Sequence, residues 1–370
     1  MQALENYRNV LIVRLSAIGD VVRTLPAVNA WRRHCPGVRF TWLVEPAAAS
    51  VLEEHPAIDR VLVFERSLFN GFLRSPGRLG RGFRSLARLL AELRTGRFDL
   101  VVDFHGILKS ALFTRVTGSR ERVGFDFATA KEGSSYFYTR HFRPSRPDLN
   151  RVDRALEMVA FLGVADPLAI SYRLPLTASN RRVAKNFLAS REILAGRGPL
   201  VALHPGSSGE TAYKRWHRNG YVGLVNALVE KLDARVILTW GPGERETVEL
   251  IAGHARVPLA VAPRTASLLD LAAIFAESDL YIGGDTGPMH LAAAVGTPVV
   301  AVFGPTHPGV NAPCGVPNRI VRYPLACSPC RKRGCKRRLC LEAVGWKQVF
   351  AAVEDLGRET GMLLPAAPGN

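Results

Sequence analysis

The chain has 370 residues, 47% hydrophobic and 8% aromatic, with a formal net charge of +17 at pH 7. That length gives room for two domains with a core each, and no apolar run reaches the roughly 18 residues needed to cross a bilayer. The start, MQALENYRNV, lacks the basic-then-apolar pattern of a secretory signal, so a cytosolic location is expected. The excess of basic over acidic residues implies an anionic partner: a phosphate-rich substrate, a membrane surface or nucleic acid.

In chain order, the first half alternates strands and helices. Strands are predicted at 9–15, 38–44, 60–64 and 99–104, and helices near 21–34, 46–54, 83–94, 107–116 and 151–162. The segment Phe98 to Phe104 is almost continuously apolar, as a strand covered on both faces requires. Residues 165–199 read as a Pro- and Gly-flanked connection around a polar helix near 179–192. A second series follows, with strands near 200–203, 235–240, 258–262, 279–282 and 298–303, a helix at 346–357 that is expected to cross back to the first lobe, and a frayed tail from 363. The alternation predicts doubly wound parallel sheets.

Two strands run into glycine-containing turns that open helices. One is Asn9–Leu15 with Ser16, Gly19 and Asp20; the other is Leu280–Ile282 with Gly283, Gly284, Asp285, Thr286, Gly287 and His290. Such turns let a ligand approach the backbone, and the helix N-terminus behind them offers free N–H groups to an anion. Asp20 reads either as a plain helix cap or as an ionised base for a hydroxyl proton. Between the two turns, His204-Pro205-Gly206-Ser207-Ser208-Gly209 precedes Lys214-Arg215-Trp216, a small-residue loop with a cation suited to a diphosphate. Glu244 and Glu246 follow another strand, where a carboxylate can accept from ribose hydroxyls or simply sit solvated at a helix start.

Two basic segments stand apart. Residues 78–97 form an amphipathic helix with Phe83, Leu86, Leu90 and Leu93 on one face and Arg81, Arg84 and Arg88 on another, which packs on a core or lies on a membrane. Cys327, Cys330, Cys335 and Cys340 lie among six basic residues. They read as zinc ligands or as reduced thiols in a basic loop; a disulfide framework is not expected in a cytosolic chain.

The motifs RLSAIGDVVRTLPAV (14–28), DFHGILKSALFTRVTG (103–118), VGFDFATAKEGSSYFY (123–138), HPGSSG…KRW and GGDTGPMHLAAAVGTPVVAVFGPT occur in that order. In them the chain resembles the bacterial ADP-heptose:lipopolysaccharide heptosyltransferases of glycosyltransferase family 9, the first-heptose type above all. The resemblance implies a GT-B fold, two Rossmann-like lobes facing an interdomain cleft. An acceptor lobe would span 1–172, a donor lobe 173–345, and the returning helix and tail 346–370. It implies inverting transfer of L-glycero-D-manno-heptose from ADP-heptose, with no cofactor required. Asp20 matches the general base. Ser16, Gly19, Ser207, Lys214, Glu246 (with Glu244 as alternative), Asp285, Thr286, Gly287 and His290 match the donor site. Lys109, Arg122 and Lys131 lie where the acceptor is expected. That acceptor is Kdo-lipid A or heptosyl-Kdo-lipid A on the cytoplasmic face of an anionic inner membrane, handled by a monomer. Two rival readings are a GT-B nucleotide-sugar epimerase and a nucleic-acid binder using 327–340; the second lacks the aromatics that stack bases.

Overall fold

The computed structural model describes residues 7–66, 76–165, 170–189 and 198–363. The chain divides into two compact units, Met1–Pro175 and Leu176–Asn370. The first unit contains strands β1 (Asn9–Val13), β2 (Arg39–Val44), β3 (Arg60–Val63), β4 (Leu100–Asp103), β5 (Glu121–Phe125) and β6 (Arg140–Phe142). They form one parallel sheet in the order β3-β2-β1-β4-β5-β6. The second unit contains β7 (Leu200–His204), β8 (Arg235–Leu238), β9 (Ala260–Val261), β10 (Leu280–Gly284), β11 (Val299–Phe303) and β12 (Asn318–Arg322). Its sheet is also parallel, in the order β12-β11-β10-β7-β8-β9.

The two orders are one order written twice. In each, the chain starts at the centre, builds outward on one side, then returns to the centre and builds outward on the other. This is the doubly wound Rossmann order, and it predicts where ligands bind: beyond the carboxyl ends of the two central strands, where the winding reverses. Those strands are β1 and β4 in the first unit, β7 and β10 in the second. Their side chains are buried on both faces, which explains the uninterrupted apolar runs.

The central strands and most helices agree with the sequence reading, and a few elements differ. Strands β5, β6 and β12 were not foreseen: ERVGF, RHF and NRIVR are short and charged, as suits a sheet periphery. The helix expected at 46–54 is only Pro46–Ala49. The last helix is Trp346–Thr360. Its buried face of Val349, Phe350, Val353 and Leu356 belongs to the second unit's core, with Val225 and Leu228 of the helix Arg218–Leu232. The amphipathic helix, Pro76–Thr95, buries Leu89 and Leu93 and half-buries Leu86 and Leu90 against Leu11, Val13, Phe64 and Val101. Phe83, assigned to that apolar face, is 57% exposed. The core-packed reading therefore accounts for the second half of this helix. The expected tail falls outside the described residues apart from Leu363.

Candidate active site

In the second unit, β7 and β10 lie side by side with His204 opposite Gly283. Register alone therefore brings the loop after β7 to the turn after β10. Lys214, at the end of the 3₁₀ turn Gly209–Lys214, places Nζ 2.9 Å from Asp285 Oδ2 and 3.2 Å from the Asp285 carbonyl oxygen. Asp285 is buried. Each residue of Lys214-Arg215-Trp216 has its own anchor. Arg215 donates from Nε to the Ser207 carbonyl (3.1 Å) and hydroxyl (3.2 Å). Trp216 is buried and donates from Nε1 to the Val344 carbonyl at 2.9 Å. Lys214 is thus held over Asp285 by a neighbour pinned to the loop and another pinned to the core.

Asp285 leads into the helix Gly287–Ala294, whose N-cap is Thr286 and whose first turn holds Pro288. Proline lacks only an N–H that would have no helical partner, and the remaining free N–H groups form a positive end suited to an anion. His290 is buried one turn along. Ser207, Lys214, Asp285, Thr286, Gly287 and His290, proposed from sequence, thus all stand on the β7 loop and the β10 turn.

The two acidic candidates separate. Glu244 is buried, accepts from the Gly241 N–H at 2.7 Å and lies 3.2 Å from His204 Nε2. Burial pushes its carboxyl up, but the hydrogen bond and charge of His204 and the Gly241 N–H outweigh it and hold the group below its ordinary value. Glu246 is exposed in the first turn of the helix Arg245–His254, so it is the carboxylate open to a ligand. Gly206 packs on Glu244 so closely that an added Cβ would fall on the carboxylate. Gly206→Ala should therefore break the His204–Glu244 contact and cost about 1–3 kcal/mol, read as a lower Tm; a wild-type Tm would show that the loop moves aside freely.

The first unit carries the second cluster. Ala17 occupies the N-cap of the helix Ile18–His34, so Asp20 lies inside the first turn and is not the cap. Its carboxylate pairs with Arg14 Nη2 at 2.5 Å, Arg151 Nη1 at 2.6 Å, and Arg23. Burial pushes the Asp20 carboxyl up, yet Arg14, Arg23 and Arg151 together hold it well below the usual carboxylate range. Ser16 is half-buried and Gly19 buried on the same turn. Beside it, β4 ends at buried Asp103, paired in register with Val13. Asp103 accepts from the N–H groups of His105 (2.7 Å) and Gly106 (3.1 Å) and from Tyr138 Oη (2.8 Å). Gly106 has φ +70°, a conformation natural to glycine. His105 is pushed down to about 3, first by burial and then by Arg14, so it is neutral.

The acceptor candidates behave differently. Lys109 Nζ pairs with Glu45 Oε1 at 2.5 Å. Arg122 donates to the Phe137 carbonyl (2.8 Å) and the Ser119 carbonyl (2.5 Å), which engages it in holding its own loop. Lys131 is exposed. Arg14, Arg23, Arg151 and His105 were not singled out from sequence. Arg23 follows Asp20 by three residues, a helical neighbour spacing that was available as a signal; Arg151 has no local signal.

Cys327, Cys330, Cys335 and Cys340 line one pocket of about 210 Å³ with Tyr213 and Pro305. Burial pushes the Cys340 thiol up, reinforced by the other three. Among the described residues no group of three or more His, Cys, Asp or Glu is arranged to hold a metal ion. No described helix is long and apolar enough to cross a membrane.

Comparison with known proteins is consistent with this geometry. The family model for glycosyltransferase family 9 (heptosyltransferase) matches residues 86–340. Lipopolysaccharide heptosyltransferase 1 of Pseudomonas aeruginosa is 33% identical over 329 residues, covering 88% of this chain and 87% of that protein. The structure of the E. coli heptosyltransferase WaaC with ADP has a TM-score of 0.72 and 26% identity, covering 94% of this chain and 99% of its own. WaaC with ADP-2-deoxy-2-fluoro heptose has a TM-score of 0.68 at 26% identity over the same shares.

Proposed function

The chain belongs to glycosyltransferase family 9, and from that premise we propose that it moves L-glycero-D-manno-heptose from ADP-heptose to the Kdo or heptosyl-Kdo inner core of lipopolysaccharide, with inversion. The observation that carries this reading is the Lys214–Asp285 pair at a helix N-terminus, on the two strands where a doubly wound sheet binds nucleotides. The relatives support this donor: one is a lipopolysaccharide heptosyltransferase, and the structures of another hold ADP or an ADP-heptose analogue.

The second unit binds the donor. Lys214 and the N–H groups at Gly287 face the diphosphate, and Glu246 accepts from the ribose. The first unit binds the acceptor. An acceptor hydroxyl oxygen attacks the anomeric carbon on the face opposite ADP. The new C–O bond forms as the bond to the diphosphate oxygen breaks, ADP leaves with the electron pair, and the hydroxyl proton passes to Asp20. Positive charge fixed at the leaving oxygen acts most strongly in the transition state, where that charge develops. Titration calorimetry tests the donor side: ADP and ADP-heptose should bind, and UDP should bind at least about tenfold more weakly. Equal affinity for UDP would remove the adenine nucleotide from the proposal.

The protein is proposed to work as a peripheral protein on the cytoplasmic face of the inner membrane. Arg84 and Arg88 are exposed on the helix Pro76–Thr95. Neutralising Arg81, Arg84 and Arg88 together should weaken sedimentation with anionic vesicles, by about 1 kcal/mol per arginine near the surface. Turnover on a soluble acceptor should be nearly unchanged. Vesicle binding that survives the triple change would leave these arginines as a solvated face.

A further inference from the structure

The first unit displays two large aromatic rings side by side on its surface. Among the described residues, Tyr136 at 80% and Phe127 at 60% are the most exposed large apolar side chains. Phe127 lies just beyond the end of β5, and Tyr136 in the 3₁₀ turn Ser134–Phe137 that leads toward β6. The two rings meet edge to face at 5.2 Å, and Phe127 also stacks on His141 of β6 at 5.1 Å. Each ring is thus held in place at the surface by another ring. Exposed Leu108 and Leu112, one helical turn apart, continue the apolar surface on the helix Leu108–Val116, which packs on that 3₁₀ turn. Two backbone donors tie these elements together: the Leu108 N–H reaches Glu132 Oε2 at 3.3 Å, and the Lys131 N–H reaches the Gly106 carbonyl at 3.0 Å. Contiguous exposed apolar surface of this kind marks a binding face.

The surroundings of the patch say what covers it. Arg115 follows Leu112 on the same helix face, and Arg143 is held beside Phe127 by its 3.5 Å pair with Asp126; both arginines are exposed. The helix Pro76–Thr95, with Arg84 and Arg88 exposed, packs on the helix Leu108–Val116. Apolar rings rimmed by guanidiniums match an anionic bilayer surface. The rings enter the boundary between headgroups and acyl chains, a tyrosine hydroxyl stays among the headgroups, and the cations pair with phosphates. We propose that Phe127 and Tyr136, with Leu108 and Leu112, are the membrane anchor of the first unit, entering an anionic lipid surface while the neighbouring arginines hold its phosphates. This rests on the peripheral reading given above and names the part of it that is not electrostatic. The strand leading into the helix Leu108–Val116, β4, pairs with β1, which leads into the Asp20 turn. An anchor here keeps the acceptor side of the protein at the surface that carries a lipid-linked substrate.

Salt separates the two contributions. Attraction between arginines and lipid phosphates is screened as the Debye length falls from about 10 Å at 0.1 M salt to about 3 Å at 1 M. Apolar insertion carries no charge and is not screened in this way. The rings therefore supply the binding that survives high salt, and the arginines supply the binding that does not.

The experiment sediments the full chain with vesicles of phosphatidylethanolamine and phosphatidylglycerol, free of acceptor and donor, at low and high salt. Phe127→Ser with Tyr136→Ser should lower the partition coefficient by about tenfold or more at both salt concentrations, because two rings no longer leave water. Arg84→Gln with Arg88→Gln should lower it at low salt only. The serine variant should keep its Tm within about 2 °C, since both side chains are exposed, and its turnover on a short soluble acceptor within about twofold. Phe127→Trp should keep the binding and report it: the introduced indole should shift its emission to the blue and be quenched by brominated acyl chains. Vesicle binding by the serine variant equal to that of the wild type, or an introduced indole that stays in water while the protein is bound, would overturn the anchor and leave the peripheral reading standing. A serine variant that keeps its Tm but loses turnover on the soluble acceptor would overturn it too, by making the rings acceptor contacts. A wild type that ignores the vesicles even at low salt would instead remove the peripheral reading itself.

Discussion

Replacing Asp20 with asparagine should leave ADP binding within a few-fold of wild type and lower kcat by about 100- to 10,000-fold, the usual contribution of a general base. The amide keeps the size of the side chain and one acceptor oxygen but cannot take the proton. The structure adds a second consequence. Asp20 is the shared counter-ion of Arg14, Arg23 and Arg151, and removing one partner of a largely buried ion cluster costs about 3–5 kcal/mol. A Tm lower by roughly 2–4 °C per kcal/mol is expected for a unit of this size. Because the folded Asp20 pKa is depressed, its stabilisation is complete above the unfolded carboxylate value. The Tm difference should therefore be full at neutral pH and shrink only below about pH 4, as the pH falls toward the folded pKa. Asp20→Glu keeps the charge and displaces it, so it should recover more stability than rate. Wild-type turnover in the asparagine variant would reduce Asp20 to a structural counter-ion.

Removing Lys214 should have the second-largest effect. Its ammonium contacts both the side chain and the carbonyl oxygen of buried Asp285. Lys214→Ala therefore takes away a cation proposed to meet the donor diphosphate and also leaves a buried carboxylate without that partner. ADP-heptose affinity should fall, and kcat should fall further, by about 100- to 1,000-fold, because charge builds on the leaving oxygen only in the transition state. Lys214→Ala and Asp285→Ala should be strongly non-additive, since each removes the same contact. Unchanged donor affinity together with unchanged rate would place the diphosphate elsewhere.

What the sequence revealed and what it hid follows from the range of each interaction. The central strands announce themselves because both faces are buried and their apolar runs are continuous. The residues proposed for the donor lie in two short segments that strand register then brings together. The short charged strands ERVGF, RHF and NRIVR look like loops, since their place in the sheet comes from pairing with a strand that the chain laid down elsewhere. The last helix shows a similar limit: its amphipathic pattern is plain, but which core accepts Val349, Phe350, Val353 and Leu356 is a tertiary fact. Arg151 and Asp20 meet across 131 residues, and neither local spacing nor charge pattern encodes that meeting. Arg122 is the converse, a basic residue in a promising segment whose donors bind its own loop.

The central claim is heptosyl transfer with inversion, and one measurement addresses it directly. The purified protein is incubated with ADP-L-glycero-β-D-manno-heptose and a soluble Kdo glycolipid, with and without a heptose already attached. Product is read by mass, and the new linkage by the anomeric signals of its NMR spectrum. The account predicts one added heptose on at least one of the two acceptors, in the α configuration opposite to that of the donor, with ADP released in equal amount. Retention of the β configuration would contradict the in-line attack assigned to the acceptor hydroxyl, and rearranged nucleotide sugar with no transfer would make the protein an epimerase.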